Sequence, residues 1–323
     1  MSSSVAAEAA TSLVGDIGAT HARFGLVAAN GDLLHSRTLS DEDHPTIDAA
    51  LEVFLAQCGP FPVPRQGAIA VASAVTGDRV AMTNHPWAFS IRALKNRFGF
   101  ERLEVINDFT ALALALPRLT ANDRLAVGGG AGVAGTPIGV IGPGSGLGVS
   151  GLIPAGTSWI PLTGEGGHAT MAPVTDRESA VLDRMRLHFD HVSAERALSG
   201  PGLVNLYNTL APLDGIPARG FTAAQITDLA MRGEDPLCVE TTHMFCAMLG
   251  TMAGNLALTL GARAGVYIGG GIVPKLGQTF VDSPFRERFE AKGRFHSYLA
   301  AIPTFVVTHP YPAFLGCAAL LAQ

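Results

Sequence analysis

At 323 residues the chain exceeds what one hydrophobic core ordinarily serves, which predicts two domains with a cleft between them. Charged residues are only 15%, the formal net charge is -5 and no basic block is present, so no nucleic-acid partner is expected. The four cysteines, Cys58, Cys238, Cys246 and Cys317, are scattered without metal-type spacing, which argues against zinc and disulfides and for reduced thiols in the cytoplasm.

The N-terminal MSSSVAAEAATS has no positive charge and no sustained apolar core, and reads as a frayed tail rather than a signal or an anchor. LVGDIGATHARFGLV (Leu13 to Val27) then predicts strand, tight turn and strand. The small residues Gly18 and Ala19, followed by Thr20, suit a hairpin that presses its backbone against a phosphate. Asp16 beside them is a hard oxygen ligand for the magnesium of a nucleotide, commonly through water. A surface hairpin with an aspartate in its turn is the plainer alternative. Ile47, Leu51, Phe54 and Leu55 recur at helical spacing, GAIAVAS (Gly67 to Ser73) reads as a strand buried on both faces, and LEVIND (Leu103 to Asp108) as another. A helix from Phe109 to Leu116, ended by Pro117, places Asn107 and Asp108 at the carboxyl edge of a sheet, where α/β proteins bind ligands.

Past Pro117 a glycine-rich loop leads to a second hairpin, with strands Ile138 to Ile141 and Val149 to Ile153 around the turn Pro143 to Gly148. Thr175 with Glu178 and Thr222 with Gln225 have capping-box spacing, and Ser199 precedes Pro201 at a first-turn position. Met244 to Ala262 is uncharged and long enough for a membrane span. Its glycines, threonines and asparagine, with no flanking aromatic belt, favour a buried helix of an α/β domain, so no membrane partner is expected. AGVYIGGGIVPKL gives a short strand running into Gly269, Gly270 and Gly271; a strand at Thr304 to Thr308 and a helix at Phe314 to Leu321 follow.

Taken in order, DIGATHARF, IND, GPGSGLG, YIGGG and AFLGCAALL resemble the five-part nucleotide-binding pattern of the actin-like sugar kinases. INDFTALA, GEGGHATMAP, HVSAERALSGPGLVNLY and YIGGGIVPKL look like the bacterial ATP-dependent glucokinase family, from about Leu13 to the C-terminus. The resemblance implies an α/β, two-domain, actin-like (ribonuclease H-like) sugar kinase fold with an interdomain cleft. A small domain of residues 1–118, completed by about 308–323, would face a large domain of residues 119–307. It implies phosphorylation of D-glucose by ATP at the 6-hydroxyl, with Mg2+, in a cytoplasmic homodimer. Asp108 would be the general base, with Asn107, Glu165, His168 and Glu195 on the other ring hydroxyls. Asp16, Gly18, Thr20, Gly144, Ser145 and Gly146 would meet the phosphates, and Gly269, Gly270 and Gly271 the adenosine.

Independent chemistry agrees: a sugar hydroxyl is a poor nucleophile, and a carboxylate can take its proton during attack on the γ-phosphoryl group. Asp108 could also cap the following helix, Glu165 and His168 sit three apart as metal ligands sometimes do, and Glu195 could be an exposed helical charge. Two departures from the family stand in the first hairpin, Ala19 for a glycine and His21 for an asparagine. A methyl group at 19 restricts φ and backbone approach, which bears on the phosphoryl donor. No cysteine cluster follows His168, so the zinc-bearing regulatory branch is not expected. The remaining rivals are a kinase for another hexose and a non-catalytic sugar sensor, which would be expected to lack Asp108.

Overall fold

The computed structural model describes residues 11–83 and 85–323, and divides into two compact units: residues up to Leu119 with His309–Gln323, and Thr120–Thr308. Of the stretch expected to be a frayed tail, residues 1–10 lie outside the described residues. Its last two are firmly placed: Thr11 Oγ1 donates to the Pro62 carbonyl at 2.9 Å, and Ser12 opens the first strand.

In unit 1, strands β1 (Ser12–Ile17), β2 (His21–Val27) and β3 (Leu33–Ser40) form an antiparallel meander. Helix α1 (Ile47–Ala56) starts at Thr46, whose hydroxyl accepts the Ala49 N–H, and it buries Ile47, Leu51 and Phe54 as their spacing requires. Strand β4 (Gln66–Val71) follows, then the small hairpin β5 (Arg79–Ala81) and β6 (Ala88–Ser90), helix α2 (Ile91–Phe98), β7 (Arg102–Asn107) and α3 (Asp108–Ala115). The sheet runs β3-β2-β1-β4-β7, with β1, β4 and β7 parallel. Ile17 is level with Val71, and Val71 with Asn107, so Asp16 and Asp108 stand at one carboxyl edge.

Alternation along β1 sends Leu13 to a core with Phe24, Leu51 and Phe54, and Val14 to one with Ala68, Ala111 and Phe314. The second core includes the C-terminal helix Pro312–Leu321, which packs on α3. That helix returns the chain to unit 1, and its Gly316 sits where a side chain would collide with the Ala111 carbonyl.

Unit 2 holds β8 (Arg124–Ala126), β9 (Ile138–Pro143), β10 (Leu147–Ala155) and β11 (Ser158–Leu162), then β12 (Gly265–Ile268) and β13 (Thr304–Val307). Their order is β11-β10-β9-β12-β13-β8, with β12 parallel to both β9 and β13. The helices between the two strand groups are α4 (Asp176–Met185), α5 (Ala194–Ala197), α6 (Gly200–Leu213), α7 (Ala223–Arg232) and α8 (Pro236–Leu260).

Ser199 caps α6, and Thr222 with Gln225 closes a full capping box on α7. The box expected at Thr175 is only half formed. Thr175 accepts the Glu178 N–H, but the Glu178 carboxylate turns to the Val174 N–H and to Arg288, which binds it through two nitrogens at 2.6 and 3.1 Å. Burial works against the Glu178 charge, and these donors outweigh it, holding the carboxyl below its usual range. Helix α8 is long and apolar enough to cross a membrane by length and composition, yet most of it is buried inside unit 2. It packs against α6, α7 and helix Phe285–Glu290, and Gly250 and Gly254 bring it against the backbone of the last.

Candidate active site

In unit 1 the turn Gly18–Thr20 joins β1 to β2, and the Gly18 N–H donates to the His21 carbonyl at 3.0 Å. No non-glycine among the described residues has a positive φ, so Ala19 adopts an ordinary backbone conformation and its methyl group costs the turn no strain. The conformational half of the concern about position 19 is thereby removed. His21 has a partner that sequence reasoning missed: its Nδ1 lies 2.8 Å from Thr20 Oγ1, the hydroxyl expected at the phosphate.

Asp16 pairs across the ladder with Arg23, whose Nη1 donates to Oδ2 at 3.0 Å. Burial raises the Asp16 carboxyl above its usual range, against the pull of Arg23. The second oxygen, Oδ1, has no hydrogen bond among the described residues. No group of three His, Cys, Asp or Glu side chains among the described residues could hold a metal ion. One carboxylate with a free oxygen suits a magnesium ion that arrives on a nucleotide and keeps most of its water, rather than a resident metal.

At the end of β7 the helix cap is Asn107, not Asp108: Asn107 Oδ1 accepts the N–H groups of Phe109 and Thr110 at 2.9 and 3.2 Å. Asp108 is the first residue of α3. Its Oδ1 is held by Asn107 Nδ2 and the Phe109 N–H, each at 2.9 Å, while Oδ2 makes no hydrogen bond among the described residues. Asn107 therefore orients the aspartate, and its Nδ2 also reaches the Ser73 carbonyl at 3.3 Å. The Asp108 carboxyl is pushed up to about 6, first by burial and then by the Asp16 carboxylate; the donors on Oδ1 pull the other way. The result is an oriented carboxylate with one open oxygen and a basicity suited to taking a proton near neutral pH.

Unit 2 carries the second hairpin. Leu147 pairs with Pro143, so its turn is the three residues Gly144, Ser145 and Gly146, tighter than the sequence suggests; the Gly144 N–H donates to the Gly146 carbonyl at 2.8 Å. The triple glycine after β12 lies alongside, with the Gly269 N–H on the Ile141 carbonyl at 2.9 Å. Gly270 has φ +79°, and a Cβ there would strike the Pro143 carbonyl. Gly144–Gly146 and Gly269–Gly271 are thus brought together at the end of β9.

Next to them, Glu165 to His168 form one helical turn over β10. The Ala194 N–H donates to the Ala169 carbonyl at 2.8 Å, which sets α5, and with it Glu195, beside that turn. His168 and Glu195 line one polar depression of about 410 Å3 together with His191 and Arg196; Glu165 does not line it. Its size and convergent polar groups suit a small polar ligand. Glu195 is no idle helical charge, since its Oε2 accepts the Leu147 N–H at 2.9 Å. Only the folded chain reveals this bond, because 48 positions separate the partners.

Residues 13–323 match the glucokinase family model. The chain is 52% identical to a glucokinase of Aromatoleum aromaticum, over 96% of this chain and 94% of that one. Its structure superposes on that of a glucokinase from an Antarctic psychrotroph with TM-score 0.88 and 38% identity, covering 96% and 98% of the two chains. A glucokinase of the ROK family from Streptomyces griseus, solved with glucose and AMPPNP, has the same fold at TM-score 0.64 and 20% identity. The α/β actin-like sugar kinase architecture that the motifs imply is the architecture of these proteins.

Proposed function

Because the chain belongs to the glucokinase family and catalyses ATP-dependent phosphorylation of glucose, we infer that Asp108 is the general base on the sugar's 6-hydroxyl. The observation that carries this reading is the state of its carboxyl, fastened at Oδ1, open at Oδ2 and raised to about 6. As the hydroxyl oxygen attacks the γ-phosphoryl group, Oδ2 accepts its proton, and Asn107 keeps the carboxylate aimed throughout. Glu165, His168 and Glu195 hold ring hydroxyls, and a sugar that leaves them unpaired is disfavoured.

The amides and hydroxyls of the two hairpins, at Gly18, Thr20, Gly144, Ser145 and Gly146, receive the phosphates, and Gly269 to Gly271 pass by the adenosine. Asp16 binds the Mg2+ of the nucleotide, through water; when bound, that ion neutralises charge on the transferring group. All four cysteines are buried free thiols, which supports a reducing cytoplasm. A homodimer is the assembly proposed.

The test is ADP formation with Mg-ATP across a panel of hexoses, for the wild type and Asp108→Ala, with glucose binding measured on both. Glucose should give the turnover, and the variant should lose roughly a hundred-fold or more while still binding glucose. Since Asn107 caps α3, the variant should keep its fold. Full turnover by D108A would remove Asp108 from the mechanism.

A further inference from the structure

Glu195 touches more than the sugar depression. Its Oε2 accepts the Leu147 N–H at 2.9 Å, and a Cβ built on Gly146 would stand 2.5 Å from the same oxygen. Gly146 has no positive φ, and a side chain there would push the Glu195 carboxylate out of its place. Two residues earlier, the Gly144 carbonyl accepts the Gly200 N–H at 2.8 Å. The α5–α6 junction therefore grips the hairpin on both sides of Ser145. The junction is itself braced, with Ser199 Oγ donating to the Glu195 carbonyl at 2.8 Å. The other carboxylate oxygen, Oε1, makes no hydrogen bond among the described residues, and the side chain lines the polar depression with His168.

We infer that Glu195 is a positioning residue for phosphoryl transfer as well as a sugar ligand, one oxygen holding the phosphate hairpin and the other taking a sugar hydroxyl. This rests on the reading of Glu195 as a sugar ligand. Without sugar, the carboxylate stands against the loop that must receive a polyanion and is fastened through one oxygen alone. A sugar hydroxyl donating to Oε1 spreads that charge and fixes the side-chain rotamer. The hairpin is then ordered before the nucleotide arrives, so the nucleotide meets less repulsion and less ordering entropy. Sugar and nucleotide thus bind with positive coupling, and linkage requires the effect to be reciprocal.

The experiment is calorimetric titration of Mg-AMPPNP into the full chain, with and without saturating D-glucose, and the reverse titration of glucose with and without Mg-AMPPNP. The wild type should bind each ligand at least about fivefold tighter in the presence of the other. Glu195→Ala and Gly146→Ala break one contact from its two sides, and in each the ratio of affinities should fall to within about twofold of one. Saturation by glucose is established separately for each variant, and G146A retains the Glu195 side chain as a sugar ligand should E195A no longer take up glucose. A merely structural role would change affinities or melting temperature without changing the ratio. A wild-type ratio within twofold of one, or a ratio undiminished in either variant, overturns the inference. Failure of the wild type to bind glucose overturns instead the reading on which it rests.

Discussion

The hairpin at Asp16–His21 in unit 1 and the hairpin at Pro143–Leu147 in unit 2 both end a strand with a tight turn, but their surroundings differ. Around the first, a Cβ at Gly18 would meet only the His21 carbonyl, at an ordinary 3.6 Å, and the turn carries side chains: Ala19, an exposed Thr20 and an exposed His21. The second is walled in by Glu195 against Gly146, by Gly200 on the Gly144 carbonyl, and by Gly270 against Pro143. A side chain at Gly18 would meet little, whereas one at Gly270 would strike backbone and one at Gly146 would displace the Glu195 carboxylate.

The largest effect should come from the crowded side. Gly270→Ala adds a methyl group at positive φ and against a carbonyl, and should cost about 3 kcal/mol, from strain and overpacking of roughly 1 to 2 kcal/mol each. Urea unfolding measures it, and a loss below about 1 kcal/mol would mean that the second hairpin is as tolerant as the first.

Next in size is a consequence of charge, which the unit 1 hairpin itself carries in Asp16. Asp108 is protonated below about 6 and then cannot act as a base. At subsaturating substrates kcat/KM should therefore fall about tenfold per pH unit below that value and level off above it. The same raised carboxyl binds more protons folded than unfolded between 3.8 and about 6. Its contribution to stability consequently grows as pH falls through that window, the opposite of a paired carboxylate such as Glu178. A flat rate profile from pH 5 to 7 would contradict the assignment.

The smallest effect belongs to the open turn. Ala19→Gly should change stability by less than about 1 kcal/mol and the KM for ATP by less than about threefold, because Ala19 already has ordinary backbone angles. A gain in ATP affinity of tenfold or more would show that the methyl group itself obstructs the phosphate.

Much of the molecule was legible in the amino-acid sequence because it depends on neighbours along the chain. Apolar runs marked β4 and β7, helical spacing marked α1, and Ser199 and Thr222 announced α6 and α7. Local patterns of this kind did not reveal β3, whose residues Leu33–Ser40 are mostly exposed and polar, or the short edge strand β8. Those strands exist because a partner strand offers hydrogen bonds, and no periodicity records that offer.

The site divides in the same way. Asp16, Asn107, Asp108, Glu165, His168, Glu195 and the glycines stand in short phrases whose chemistry can be read residue by residue. Tertiary structure alone decided what these groups do to each other. Asn107 rather than Asp108 takes the helix cap, Arg23 is drawn to Asp16 by strand register, and the Asp16 carboxylate helps raise that of Asp108. Glu195 reaches a hairpin 48 positions away. Hydrogen-bond direction and field strength depend on distances of a few ångströms in space, and separation along the chain carries no record of them.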